Sequence, residues 1–139
     1  MTRVYIVEDH PIMRQSLRAF IRRQEGFELC GEAESAEAAL EEIDHTQPDL
    51  MLIDLSLPGM SGLELLEQIR QRYPALLCMI LSGHGERSHV DHAMMAGARG
   101  YIVKGDTDEL AQAMRQVSQG QTYLSELVQN KLDNLTDDK

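Results

Sequence analysis

Apolar residues along the chain fall into two alternating rhythms. Val4–Val7 is a short continuous run of the kind that forms a buried strand. Met13, Leu17, Phe20 and Ile21 then recur at helical spacing, and Pro11 suits that helix's first turn. Phe27–Ala33 alternates as an edge strand does, and Ser35 is a natural N-cap for a helix whose stripe is Ala36, Ala39, Leu40 and Ile43. Leu50–Ile53 predicts a third strand, with Leu65, Leu66 and Ile69 marking the next helix. Leu76–Leu81 is a fourth strand, followed by a helical stripe of Val90, Ala93, Met94 and Gly97. Tyr101–Val103 is a fifth, and Asp106 and Glu109 stand at capping-box spacing before Leu110, Ala113, Met114 and Val117.

Strict alternation of strand and helix predicts an α/β, doubly wound fold: five parallel strands with helices on both faces. The rhythm changes after Gln119-Gly120. Leu124, Leu127, Val128, Lys131, Leu132 and Leu135 predict a short amphipathic helix over 124–135, before a polar tail, DNLTDDK. Residues 1–120 are therefore expected to form one domain, and 121–139 a linker helix and tail.

Composition narrows the function classes. The chain has 139 residues, 42% of them hydrophobic, enough for one domain with a real core. No apolar stretch approaches the roughly 20 residues needed to span a bilayer, so no membrane partner is expected. The start MTRVYIVEDH lacks a signal-peptide pattern, which makes the cytoplasm the expected location. A net charge of −10 argues against direct nucleic-acid binding by this chain, which would need a basic surface. Cys30 and Cys78 lie inside apolar segments and read as small buried hydrophobes.

Candidate chemistry lies just beyond the strands. The first is followed by Glu8 and Asp9, the third by Asp54, the fourth by Ser82 and the fifth by Lys104. In an open parallel sheet these C-terminal ends share one edge, where ligands bind. Like charges ~4 Å apart cost about 4 kcal/mol per pair at an effective dielectric of about 20, so three carboxylates there call for a cation. Lys104 supplies one positive charge, and a small hard ion of the Mg²⁺ kind supplies the rest. An Asp beside Mg²⁺, a Lys and a Ser hydroxyl is equipped for phosphoryl transfer.

VEDHP, LIDLSLPGMSG, LSGHG and AGARGYIVKG together resemble the receiver domain of bacterial two-component response regulators, over roughly residues 3–120. The resemblance implies the flavodoxin-like receiver fold, with strand order 2-1-3-4-5. It implies transfer of a phosphoryl group from a sensor histidine kinase's phosphohistidine to Asp54. By the same resemblance Asp9 is the main Mg²⁺ ligand beside Asp54, Glu8 assists through water, and the Ser56 backbone carbonyl completes the set. Lys104 pairs with the phosphate, Ser82 is the switch hydroxyl, and Tyr101 is the aromatic that follows it inward. Ser56 and His84 occupy the positions that tune the phosphate's lifetime. Such a protein is no enzyme in the ordinary sense, but a switch that promotes its own phosphorylation and slow dephosphorylation.

Gly105 stands where many receivers have a proline after the lysine, and with DHP after the first strand it points to the NarL-type subfamily. There a linker leads to a C-terminal helix-turn-helix domain, so transcriptional output through a domain outside this chain is expected. The switched surface would be the fourth helix, fifth strand and fifth helix, read by the protein's own output domain or a downstream protein. A single-domain receiver, or one acting as an interaction scaffold without phosphorylation, is the alternative. No dimer interface is legible, which leaves a homodimer open.

Three further features stand apart. His89 and His92 have a workable ligand spacing but no evident third ligand; His10 reads as loop. Arg14, Arg18 and Arg22 form a stripe opposite the first helix's apolar face, suited to a solvated face or to steering a kinase. Met95 should point away from the core. A haloacid-dehalogenase-type phosphatase would carry an acid two residues after Asp9, where Pro11 stands, and a dinucleotide fold would show GxGxxG where EDHPIM stands.

Overall fold

The computed structural model describes residues 1–83, 87–105 and 107–125. Strands β1 (Thr2–Val7), β2 (Phe27–Ala33), β3 (Leu50–Asp54), β4 (Leu77–Ser82) and β5 (Gly100–Val103) alternate with helices α1 (Pro11–Arg22), α2 (Ala36–Thr46), α3 (Gly62–Arg72), α4 (Arg87–Met95) and α5 (Thr107–Ser118). A short strand β6 (Tyr123–Leu124) follows α5. All pairings are parallel, in the order β2-β1-β3-β4-β5-β6. The expected order holds through β5, and the sheet has six strands rather than five.

Alternation within each strand divides the core. Val7, Met51, Ile53, Ile80 and Tyr101 face α2, α3 and α4. Ile6, Leu52, Leu81 and Ile102 face α1 and α5. Buried on both sides, the central strands read as continuous apolar runs. Full burial of each such Ile or Leu side chain contributes about 1.5–3 kcal/mol.

Local chemistry sets the helix starts. Ser35 and Ser61 cap α2 and α3 by accepting hydrogen bonds from the Ala38 and Glu64 N–H groups, both at 3.1 Å. Pro11 opens α1 as predicted, and no side chain caps it. The capping residue expected for α5, Asp106, lies outside the described residues.

The predicted helix over 124–135 does not begin at Leu124, which stands in β6 instead. The outer edge of β5 offers unpaired backbone groups, and the Tyr123 and Ser125 N–H groups bond the Arg99 and Tyr101 carbonyls at 2.9 and 2.8 Å. The remainder of that predicted helix lies outside the described residues.

Candidate functional site

Pleating decides which side chains meet at the sheet's C-terminal edge. Glu8, Asp54 and Lys104 each follow a residue of the α1–α5 core (Ile6, Leu52, Ile102) by two positions, so a period of two sends all three to one face. Lys104 Nζ lies 3.3 Å from Glu8 Oε2 and 3.3 Å from Asp54 Oδ2. Glu8 and Asp54 are buried, at 0% and 2% exposure. Three carboxylates with Asp9 and one ammonium leave a formal excess of two negative charges. Water, which would screen it at the surface, is largely kept out.

Backbone contacts hold these groups in place. The Glu8 N–H donates to the Ala33 carbonyl at 3.1 Å, Leu55 N–H to Leu81 at 3.2 Å, and Lys104 N–H to Ser82 at 2.8 Å. The first turn of α3 comes in against the end of β3, where a Cβ built on Gly62 would lie 2.5 Å from the Asp54 carbonyl oxygen and 2.9 Å from Leu55 Cα. Only glycine allows this approach. Ser56 N–H donates to Asp54 Oδ1 at 3.1 Å, which orients the carboxylate.

The other carboxylate oxygens are left for something else. Asp54 Oδ2 and Asp9 Oδ1 are buried and accept no hydrogen bond. Among the described residues, the nearest ion-pair nitrogen to each lies at 3.3 Å, from Lys104 and His10 respectively. One ligand atom from each of Glu8, Asp9, His10 and Asp54 falls in a set whose members all lie within 4.8 Å of one another. Carboxylate oxygens dominate this set, which fits a hard divalent cation of the Mg²⁺ type.

His10, expected as plain loop, is tied into this cluster: its Nδ1 lies 2.9 Å from Glu8 Oε1. That hydrogen bond, with the nearby Asp9 charge, holds the imidazole above its ordinary pKa. Arg14 was also missed as a site residue, and it donates to the Glu8 carbonyl at 2.8 Å. An i, i+6 contact leaves no periodic signal in sequence. Gly62 had one, a glycine next to a capping serine at a helix start.

Ser82 ends β4 on the opposite face of the pleat, beside α4, and is buried. Tyr101 lies on that same face and is already fully buried. Ser56 is exposed on the loop after β3, and His84 lies outside the described residues. Gly105 has a φ of +124°, so the position after Lys104 takes a backbone conformation closed to proline.

Other sequence features resolve differently. The arginine stripe of α1 is largely spent within the domain: Arg18 holds Glu32 through bonds of 3.0 and 2.6 Å, and Arg14 reaches Glu34 at 3.4 Å. Only Arg22 remains exposed as expected. His89 and His92 line a cavity of about 350 Å³ with Leu55, Ser56, Ser61 and Leu63, and join no three-ligand cluster among the described residues. Met95 is 77% exposed, pointing outward as the pattern required. Both cysteines are free thiols, and burial pushes Cys78 up to about 12.

Comparison with known proteins agrees with this geometry. Residues 4–115 match the family description "Response regulator receiver domain". The transcriptional regulatory protein DegU of Brevibacillus brevis is 32% identical over 130 residues, which cover 93% of this chain and 55% of that protein. The nitrate/nitrite response regulator NarL of Escherichia coli strain K12 is 32% identical over 124 residues, 88% of this chain and 57% of NarL. This chain thus spans a little over half the length of these relatives. A crystal structure of a LuxR-family two-component response regulator from Aurantimonas sp. SI85-9A1 superposes with a TM-score of 0.92 at 33% identity, covering 98% of this chain and 99% of that one.

Proposed function

The chain belongs to the response regulator receiver domain family, and on that premise we propose that Asp54 is a phosphoacceptor. The observation that carries this reading is the pair of Asp54 oxygens: one is oriented by the Ser56 N–H, and the other lies buried beside Lys104 with no hydrogen bond.

In this reading Asp54 Oδ2 attacks the phosphorus of a phosphohistidine on a sensor kinase. The P–N bond breaks, its electron pair returns to the imidazole nitrogen, and that nitrogen takes a proton from solvent. An acyl phosphate forms on Asp54. Asp9, Asp54, the Ser56 carbonyl and, through water, Glu8 would hold Mg²⁺. When bound, that ion supplies charge neutralisation at the phosphoryl oxygens. Lys104 moves its ammonium from the two carboxylates toward the phosphoryl group. Ser82 offers its hydroxyl to a phosphoryl oxygen, and Tyr101 couples that movement to the face built by α4, β5 and α5. Ser56 and His84 set the access of hydrolytic water and hence the phosphate's lifetime. The protein promotes its own phosphorylation and slow dephosphorylation and turns over no separate substrate.

DegU is named a transcriptional regulatory protein and NarL a nitrate/nitrite response regulator. The output we infer is therefore control of transcription through a helix-turn-helix domain beyond these residues, without DNA contact by the receiver itself. The partners we infer are a sensor histidine kinase and, for output, the protein's own output domain or a downstream protein. Among the described residues no helix is long and apolar enough to cross a membrane, and the cytoplasm is where we place the reaction.

Incubation with Mg²⁺ and acetyl phosphate, followed by intact-mass measurement, tests the proposal. One Mg²⁺-dependent phosphoryl adduct is expected, and none in Asp54→Asn. Beryllofluoride binding guards against loss of a labile adduct. If neither an adduct nor beryllofluoride binding appears, a scaffold that works without phosphorylation replaces this reading.

A further inference from the structure

The unforeseen element is β6, and its position ties it to the switch. Leu124 is in register with Tyr101 across the outer edge of β5. Neighbours in register on parallel strands point to the same face, and both side chains pack in the core shared with α4. Ser125 N–H donates to the Tyr101 carbonyl at 2.8 Å, and Tyr123 N–H to the Arg99 carbonyl at 2.9 Å, so the two bonds bracket β5 at Tyr101. Ser125 is itself only 3% exposed. The chain leaving the domain is therefore bonded directly to the backbone of Tyr101 and packed beside its side chain.

This attachment is short. Two strand residues at a sheet edge bury little area, and elements of that kind open at low free-energy cost. Tyr101 is at 0% exposure while β6 is in place. Leu124 lies next to it in the packing, so withdrawal of β6 removes a neighbour from the buried Tyr101.

From this juxtaposition we propose that the outer edge of β5 is a docking edge for the protein's own segment Tyr123–Ser125, and that docking and the inward Tyr101 stabilise each other. The inference rests on the phosphoacceptor reading of Asp54. Phosphorylation, by favouring the inward Tyr101, tightens β6 and passes the signal into the chain that follows. Linkage makes the effect reciprocal: a docked β6 strengthens phosphoryl-analogue binding at Asp54 by the same factor that the analogue strengthens β6.

Amide hydrogen exchange at Tyr123 and Ser125 in the intact 139-residue chain, with Mg²⁺ and with or without beryllofluoride, tests this. Protection at both amides should rise about fivefold or more, the lower end of measured coupling between sites. Ser125→Pro deletes the N–H that bonds Tyr101, and Leu124→Ala trims the packing while leaving the backbone intact. Both should weaken beryllofluoride binding by a comparable factor with Asp54 untouched. Beryllofluoride binding with unchanged protection at both amides, or with affinity unchanged in both variants, overturns the inference and leaves the phosphoacceptor reading standing. Failure of the wild-type chain to bind beryllofluoride overturns both.

Discussion

Asp54→Asn should make the metal-free protein more stable, although it removes an ion pair. Lys104 at 3.3 Å attracts Asp54 by ~5 kcal/mol at an effective dielectric of about 20. Glu8, with its ligand atom within 4.8 Å, repels it by ~3.5 kcal/mol or more on the same scale. Asp9 adds a smaller repulsion, because 26% of its side chain meets solvent. Attraction and repulsion nearly cancel, which leaves the cost of keeping a carboxylate at 2% exposure away from water. Asparagine has no such charge, can accept the Ser56 N–H, and leaves Lys104 paired with Glu8. A gain of about 2 kcal/mol follows, since burying an ion in a real protein costs several kcal/mol and Lys104 has already offset part of it. Urea unfolding followed by circular dichroism, with EDTA present, measures it. Mg²⁺ should then close the gap by stabilising wild type more than the variant, by about 2.7 kcal/mol at a hundredfold excess over its dissociation constant. A variant less stable than wild type in EDTA would refute the electrostatic reasoning, and a Mg²⁺ increment equal in both proteins would refute the role of Asp54 as ligand.

Gly62→Ala should cost about 2–3 kcal/mol in the same unfolding assay, because a Cβ 2.5 Å from a backbone oxygen forces α3 away from β3. It should also slow phosphorylation by acetyl phosphate, since the Asp54 loop moves with α3. Ser35→Ala removes the cap of α2 and should cost about 1 kcal/mol, with no change in phosphorylation rate. Cys78 should resist a thiol reagent at pH 8 until the protein unfolds, because burial holds its thiol protonated up to about 12. The same shift has a stability consequence whose sign is fixed. The Cys78 contribution is intact below the unfolded thiol's value near 9.0 and is lost as pH climbs toward about 12. Alkaline unfolding that begins earlier in wild type than in Cys78→Ser, after correction for their difference at pH 7, checks it.

Much of this protein was legible in its one-dimensional pattern. Strand runs such as Leu50–Ile53, the helical stripes and the Ser35 cap are local features, and each follows from periodicity or from hydrogen bonding within a few residues. That polar residues gather at one sheet edge was legible too, because Glu8 and Asp9 follow β1, Asp54 and Ser82 end β3 and β4, and Lys104 follows β5. Other facts depend on groups far apart in the chain. That Lys104 sits between Glu8 and Asp54, that Arg14 and Arg18 are spent on Glu8, Glu34 and Glu32, and that Gly62 must lack a Cβ are decided by packing between separate elements. The sharpest difference is Leu124, where the apolar spacing favours a helix but the open backbone edge of β5 draws the segment into a strand. Periodicity measures what a segment can bury by itself, whereas an unpaired sheet edge is a partner that exists only once the sheet has formed.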